Sequence, residues 1–352
     1  MYTLIWNEMA KTKQIERIDP PAGIPGGEVV IEVSPATSKA GHPLQAWFGD
    51  KPAHIVAATG RRALVLVPEL NNGAEIEVSV DEKGKSGKTA PFITGRKLAG
   101  DIHPVANPAF DPTDGSLFVT KSGARGEHVP VSLYRVSSDD DIEEFSGDII
   151  NPTGIAFDRT GRMFVTSRLD GTVYRVTPLK EVVIFAGELG IATGLAFNRQ
   201  GEMFVGDRSG KIYRVNEIGA AERWAELEPS VSAYHLACGP DDALYVTGPT
   251  VSSFDSIIRF DEDGKGSVFY RGLGRPQGLA FDRDGNLYVA ASLRGRRGIV
   301  RISPDGKDAR IVVAGMNLVG LAFSPNRELV VATNEAVYSL PLGIYGILLD
   351  QV

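Results

Sequence analysis

The stretch Thr153-Gly-Ile-Ala-Phe-Asp158 decides the fold, because close variants of it return five more times between residues 106 and 324. Each of the six copies carries an alanine at its fourth position, and successive alanines are 47, 40, 41, 43 and 42 residues apart. These residues are Ala109, Ala156, Ala196, Ala237, Ala280 and Ala322. A period of about 42 residues is typical of folds in which each repeat forms one supersecondary unit.

Each copy continues into a turn and further short strands. Phe157 is followed by the turn Asp158-Arg-Thr-Gly161, by alternating runs at residues 163–166 and 173–176, and by a fourth run that ends near Gly187. Short strands separated by Asp- and Gly-containing turns predict four-stranded antiparallel meanders. One meander cannot bury both of its faces, whereas six around an axis can, so the repeats predict a six-bladed β-propeller.

The last copy contains three strands, so its fourth strand must come from elsewhere. Residues 94–100, ending in Lys97-Leu-Ala-Gly100, resemble the fourth strand of other copies, such as Ile184-Phe-Ala-Gly187. We expect residues 94–100 to complete the last blade and so join the two ends of the ring. The C-terminal tail is the alternative, and if it does not close the ring it should pack elsewhere through Ile344, Ile347 and Leu348.

The first 93 residues lack the repeat. Short alternating runs at 29–33, 44–48, 63–67 and 74–80 are separated by turns rich in proline and glycine, which predicts a β-sandwich. The predicted fold is therefore all-β, an Ig-like sandwich followed by a six-bladed propeller. Its parts are an N-terminal extension (1–13), the sandwich (14–93), the propeller (94–341, with blades that begin near residues 106, 153, 193, 234, 277 and 319) and a tail (342–352).

Composition excludes several classes of function. The net charge of −7 argues against a general nucleic-acid binder. No apolar run approaches the roughly 20 residues that cross a bilayer, so no membrane insertion is expected. Cys238 is the single cysteine and excludes an intramolecular disulfide. The first residues lack the pattern of a signal peptide, so the sequence as written is expected to stay in the cytoplasm.

Two family resemblances follow from these motifs. Residues 15–23 (IERIDPPAG), 26–31 (GGEVVI), 47–50 (WFGD), 66–68 (LVP) and 78–80 (VSV) resemble an IPT/TIG domain. This is an Ig-like fold of receptors, transcription factors and bacterial surface and carbohydrate-active proteins, and it implies a place outside the cytoplasm. The repeats from residue 94 to 341 resemble NHL-repeat and gluconolactonase-like (senescence-marker) propellers. That resemblance implies a scaffold, and function must be argued from the site.

In such propellers the opening residue of each first strand points to the axis at one face. The lactonase-like relatives bind a divalent metal there with Glu, Asn, Asn and Asp in blades one, three, four and five. Those positions here are occupied by residues without a carboxylate, namely Ala106, Thr193, Tyr234 and Gln277, with Thr153 and Val319 in the other two blades. A hard cation such as calcium prefers several oxygen ligands, some of them anionic. We therefore predict no metal and no other cofactor, with calcium bound by loop residues as the alternative. Thr153, Thr193, Tyr234 and Gln277 are instead candidates for ligand contacts in the axial channel.

The links between second and third strands open on the same face and are rich in cations. They contain Lys121, Arg125, His128, Arg168, Arg208, Arg294, Arg296 and Arg297, against the fewer acidic residues Glu127, Asp170, Asp207, Asp255 and Glu335. Arginine forks suit carboxylate, sulfate and phosphate groups. The sequence therefore suggests an anionic ligand here, an acidic sugar, a polysaccharide or an acidic protein segment, with Arg168, Arg208 and Arg297 as candidate ligands. The alternative is that Arg168 and Arg208 form salt bridges with Asp170, Asp207 or neighbouring blades.

His235 stands where four of the other copies have glycine, and it is either a packed histidine or a ligand contact made together with Tyr234. No metalloprotease spacing of histidines and no G-x-S-x-G motif occurs. A non-catalytic binding or scaffold protein is the first functional hypothesis. A degenerate or metal-dependent lactonase or esterase is the alternative, and a lyase acting on acidic polysaccharide is a third. The oligomeric state and the identity of the ligand stay open.

Overall fold

The secondary structure is all-β, as predicted. A computed structural model describes residues 15–34, 45–70, 73–82, 85–86, 89–252 and 254–347. All regular elements in these ranges are strands. Within them, no helix has the length and apolarity needed to span a membrane.

Ten short strands make up the N-terminal part. They are β1 (Ile15–Asp19), β2 (Ala22–Gly23), β3 (Glu28–Val33), β4 (Gln45–Phe48), β5 (Lys51–Ala53), β6 (Ile55–Ala58), β7 (Arg62–Leu66), β8 (Glu75–Glu82), β9 (Lys85–Ser86) and β10 (Ala90–Thr94). Strands β1, β3, β7 and β6 form one sheet, and β2, β10, β8, β4 and β5 lie in a second, with β9 paired to β8. Alternate residues of β3 are buried, so one face of the strand contributes to the core. Side chains of both sheets meet in this core, where Phe48 and Phe92 pack edge to face at 5.0 Å.

The rest of the described chain forms antiparallel units of four strands. Strand β11 (Arg96–Gly100) comes first. The first three units are β12 (Ala109–Phe110), β13 (Leu117–Thr120), β14 (Leu133–Val136), β15 (Ile142–Ser146); β16 (Pro152–Phe157), β17 (Met163–Ser167), β18 (Thr172–Val176), β19 (Val182–Ala186); and β20 (Ala192–Phe197), β21 (Met203–Asp207), β22 (Lys211–Val215), β23 (Ala221–Glu226).

Three further units follow in chain order. They are β24 (His235–Cys238), β25 (Leu244–Thr247), β26 (Asp255–Phe260), β27 (Gly266–Gly274); β28 (Leu279–Phe281), β29 (Leu287–Leu293), β30 (Arg296–Ile302), β31 (Ala309–Ala314); and β32 (Leu318–Phe323), β33 (Leu329–Thr333), β34 (Ala336–Leu340). The fourth and fifth units are also joined to each other, because the end of β27 pairs with the end of β29. Strand β11 supplies the fourth strand of the last unit, with Arg96 opposite Ser339 and Gly100 opposite Ala336.

The turns between first and second strands follow from local chemistry. Asp158 Oδ1 accepts hydrogen bonds from the backbone N–H groups of Thr160 and Arg162, both at 2.9 Å. Gly161 has φ +78°, a conformation that glycine adopts without steric penalty. The carboxylate of Asp158 also pairs with the Arg162 guanidinium at 2.6 Å, so this residue organises its own turn.

Apolar clusters lie between neighbouring units. Phe164 of the second unit packs with Leu195 and Phe197 of the third. Leu117 of the first unit packs with Ala99 of β11 and Val330 of the last. Each unit therefore buries its faces against the units on either side, which is why one unit alone would not be stable.

The N-terminal part is joined to the fifth unit. Strand β2 pairs in parallel with β31 through Gly23 and Ala314, and Ile24 N–H donates to Ala314 O at 2.9 Å. Arg296 donates to the carboxylate and to the backbone carbonyl of Asp19. The domain boundaries stay a prediction, but these bonds tie the described N-terminal strands to the fifth unit.

The described part of the tail lies on the fifth and sixth units. Ile344 and Ile347 pack against apolar clusters of these units, and Tyr345 lies between the guanidinium groups of Arg283 and Arg327, with its ring centroid 5.0 and 4.3 Å from their central carbons. Leu348 lies outside the described residues.

Candidate functional site

Two threonines predicted to face the axis instead bridge adjacent units. The Thr153 hydroxyl lies 3.0 Å from the Thr166 hydroxyl and 3.2 Å from Ala192 O. The Thr193 hydroxyl donates to Gly206 O at 3.1 Å and accepts from the Tyr234 N–H at 3.0 Å. Both threonines are buried. Their hydroxyls are therefore engaged by neighbouring protein groups.

The glycine of the phrase allows the inner strands to approach closely. A Cβ at Gly154 would lie 2.5 Å from Thr193 O, and one at Gly320 would lie 2.4 Å from Ala106 O. Real Cβ atoms do not come this close to backbone oxygen, so a larger residue would force these strands apart. At the other opening positions, Ala106 is buried and Val319 is half-buried.

Tyr234 and Gln277 are likewise engaged by protein groups. The Tyr234 hydroxyl donates to Glu228 O, and its ring lies against Gly248, where a Cβ would be 2.4 Å from the ring edge. The Gln277 amide lies 3.4 Å from Leu318 O. Burial raises the pKa of the Tyr234 hydroxyl, which makes it a poor candidate for a base.

His235 and Asn107 replace the glycine of the phrase in two units. His235 is buried, and its Nε2 has no hydrogen-bond partner among the described residues. Burial lowers the pKa of His235 to about 4, so the ring is neutral at pH 7. The Asn107 side chain, by contrast, is hydrogen-bonded at both ends: its NH₂ group donates to Leu279 O at 2.9 Å, and its oxygen accepts from Leu321 N–H at 3.0 Å.

These residues do not fit the divalent metal of the lactonase-like propellers. The four positions offer a methyl group, a threonine hydroxyl, a tyrosine hydroxyl and an amide, and the last three already contact protein groups. Within the described ranges, no cluster of three or more His, Cys, Asp or Glu side chains could hold a metal ion. A hard cation that needs several oxygen ligands therefore finds no matching donor set at the axis.

Arg168, Arg208 and Arg125 come together on the face that carries the links between second and third strands, which we call the arginine face. Arg168 is half-buried and donates to Gly123 O at 3.0 Å. Its Nε is buried without a partner in the described part of the chain. Burial, followed by the charges of Arg208 and Arg125, lowers the pKa of Arg168. The guanidinium therefore lies in an environment that carries an excess of positive charge.

Asp170 and Asp207 of the same links do not pair with this cluster, whereas the Glu127 carboxylate lies in the loop of Arg125 and accepts from the Ala124 N–H at 2.6 Å. Arg208 donates to the carbonyls of Ser230 and Val231 at 3.2 and 2.9 Å. Asp170 accepts from the Tyr174 hydroxyl, and Asp207 accepts from backbone N–H groups and a serine of its own region. No ion pair joins these two aspartates to Arg168 or Arg208 within the described ranges, so the salt-bridge alternative is not what the geometry shows.

The other predicted rim residues lie apart from this cluster. Arg297 contacts the sulfur of Met316 at 3.9 Å, and Arg296 binds Asp19 of the N-terminal part. Lys121 donates to Asp101 O at 3.4 Å. Arg125 was one of many cations in the links, and nothing in the sequence marked it as a neighbour of Arg168, because the loop from residue 121 to 132 has no counterpart of equal length in the other copies.

The chain resembles solved propeller structures at low sequence identity, whereas no protein-family model and no curated protein matches it. An auxiliary nutrient binding protein from Bacteroides thetaiotaomicron is 12% identical with a TM-score of 0.56, and the match covers 94% of this chain and 97% of that one. A gluconolactonase from Xanthomonas campestris is 17% identical with a TM-score of 0.57, covering 70% of this chain and 89% of that one. Regucalcin, a calcium-binding protein from Agrobacterium tumefaciens, is 18% identical with a TM-score of 0.57, covering 72% and 95%. These likenesses show that the chain has the fold of the gluconolactonase-like β-propellers.

Proposed function

We propose that the chain is a non-catalytic binding protein, in which an Ig-like β-sandwich of IPT/TIG type (14–93) is followed by a six-bladed propeller (94–341) that binds an anionic ligand on the arginine face. The six antiparallel units are the blades. The ligand carries carboxylate or sulfate groups, as an acidic sugar or polysaccharide does.

The environment of Arg168 carries this proposal. Its guanidinium is half-buried, one of its nitrogens has no partner within the described ranges, and two further arginines lie close to it. Collecting three like charges is unfavourable unless anionic groups compensate them, and Glu127 is the one carboxylate of these links in the loop of Arg125. A carboxylate or sulfate would accept charge-assisted hydrogen bonds from these forks.

The likeness to nutrient-binding proteins supports a binding role. The match to the protein from Bacteroides thetaiotaomicron covers 94% of this chain, whereas the match to the gluconolactonase covers 70%. A likeness over this length, to a protein described as an auxiliary nutrient binding protein, is consistent with a binding role for the whole chain.

Binding to polygalacturonate, with neutral dextran as comparison, tests the proposal. The variant Arg125→Gln/Arg168→Gln/Arg208→Gln should bind polygalacturonate on the order of 100-fold more weakly, since it loses several charge-assisted hydrogen bonds. The matched control is Arg159→Gln/Arg271→Gln/Arg310→Gln, which removes the same charge from exposed positions elsewhere. An equal loss in both variants, or unchanged binding in the first, would contradict the proposal.

A lactonase is the second candidate, favoured by the fold shared with a gluconolactonase and regucalcin. It would require metal ligands that the axial residues do not provide. Hydrolysis of gluconolactone that depends on added calcium, and that is lost in Thr193→Val but kept in the arginine variant, would establish the lactonase and overturn the binding proposal.

A further inference from the structure

A cavity of about 680 Å³ opens at the face opposite to the arginine face, among the ends of the first strands. We call this the tail face, because residues 342–347 lie on it. The apolar side chains at the cavity include Ile155, Leu195, Leu236 and Leu321. A volume of roughly 300–1,000 Å³, with apolar side chains and a small number of polar groups in the wall, is typical of small-molecule sites.

The repeated alanine leaves this space open. Ala109, Ala156, Ala280 and Ala322 line the cavity, and each is half-buried although it lies in the innermost strand of its blade. A small side chain that is partly exposed at the centre of the molecule faces space that protein atoms do not fill. A leucine at the same position would project into the cavity.

Several of the polar groups that line the cavity already have partners within the protein. Asn107 has both ends of its amide engaged, as described above. Asp140 pairs with Arg96, and Asp114 pairs with Arg135 at 2.6 Å.

The remaining two carboxylates at the cavity are also satisfied by hydrogen bonds. Glu328 accepts from the Ser339 hydroxyl at 2.7 Å, and Asp111 accepts from Thr113. Asp111 and Glu328 have only neutral donors as partners within the described ranges, so the carboxylates at the cavity carry an uncompensated negative charge. An anionic ligand would be repelled by these carboxylates, which is unfavourable.

The tail contributes one wall. Ile347 lines the cavity and donates its N–H to Phe281 O at 3.0 Å, while Gly346 bridges to Asp282. Tyr345, the residue before Gly346, is held in place by the contacts of its ring with Arg283 and Arg327. The apolar side chain of Ile347 is thus held at the cavity by contacts on both sides of the seam between the fifth and sixth blades.

We propose that this cavity on the tail face binds one neutral, largely apolar small molecule, at a site separate from the anion site on the arginine face. The wall of alanine, leucine and isoleucine side chains supplies the apolar contact area, and the excess of carboxylates among the described lining residues selects against anions.

Fluorescence titration of the full chain with the neutral probe N-phenyl-1-naphthylamine tests this proposal. Saturable binding of one equivalent is expected, with a rise in the thermal unfolding midpoint. Ala156→Leu and Ala322→Leu should each weaken binding at least about tenfold, because the added side chain occupies the cavity. Ala237→Leu is the matched control, since Ala237 holds the same position of the phrase and is not among the lining residues.

The outcomes separate this proposal from its rivals. Equal affinity in the wild type and in a folded Ala156→Leu or Ala322→Leu variant would overturn it, as would the absence of saturable binding. If neither leucine variant folds, Ala156→Val and Ala280→Val can be used instead, because valine adds a smaller side chain at the cavity wall. If the probe binds after removal of residues 348–352 but not before, the chain's own tail is the occupant and the proposal is wrong. The variant Arg125→Gln/Arg168→Gln/Arg208→Gln should bind the probe as the wild type does. The test of the cavity is therefore independent of the test of the anion site, and either proposal can fail alone.

Discussion

His235 combines full burial with a titratable ring that lacks a partner at Nε2 in the described part of the chain. Most other copies of the phrase place glycine here, so the inner strands of those blades approach without a side chain between them. The imidazole is tolerated because it is neutral. The contribution of His235 to stability therefore depends on pH, unlike that of the glycines at the same position of the other copies.

Acid should destabilise the protein through His235. The pKa is lowered from 6.5 to about 4 in the folded state, so the unfolded chain binds a proton that the folded chain does not, and stability falls as the pH drops from about 6.5 towards 4. The loss at pH 5 is on the order of 2 kcal/mol. His235→Gln should reduce the difference between the free energies of unfolding at pH 7.5 and pH 5, whereas His103→Gln, at an exposed position, should not. An undiminished pH dependence in His235→Gln would contradict this assignment.

Strand β11 closes the ring, and its buried Ala99 is the point where that closure can be tested. Ala99 is 2% exposed and lies in the apolar cluster between the last and first units. Ala99→Asp would bury an unpaired carboxylate and should lower the free energy of unfolding by about 3 kcal/mol or more, measured by urea denaturation. Ala220→Asp makes the same change at an exposed position and should cost little. Equal effects of the two substitutions would show that β11 does not hold the ring.

The strands and turns show which parts of the structure can be predicted from the sequence. The all-β class follows from alternation and turn chemistry, because local turns such as 158–161 are determined by neighbouring residues. The direction of a hydroxyl or guanidinium is not local. Tyr234 turns to Glu228 O, and Arg296 binds Asp19, 277 residues away in sequence. Such contacts depend on which loops meet in space, and the period of the repeat carries no information about that.

On the scale of the whole molecule, the N-terminal part and the propeller should unfold together. A Cβ at Gly27 would lie 2.6 Å from the carbonyl of Ala314, so Gly27→Ala should push the N-terminal part away from β31. Scanning calorimetry should show one transition for the wild type and two for Gly27→Ala. Gly60→Ala, where no atom lies within 4 Å of the added Cβ, should keep one transition. A single transition in Gly27→Ala would mean that the two parts are coupled by other contacts.

The position of β11 in the chain has a consequence for synthesis. The ribosome makes residues 96–100 before any blade, yet their partner strand ends at residue 340, more than 230 residues later. At a translation rate of about 5–20 residues per second, the exposed edge waits for about 10–50 s. The N-terminal part can fold within that time and hold β11 at its border, which shields a strand that would otherwise be open to pairing with other nascent chains.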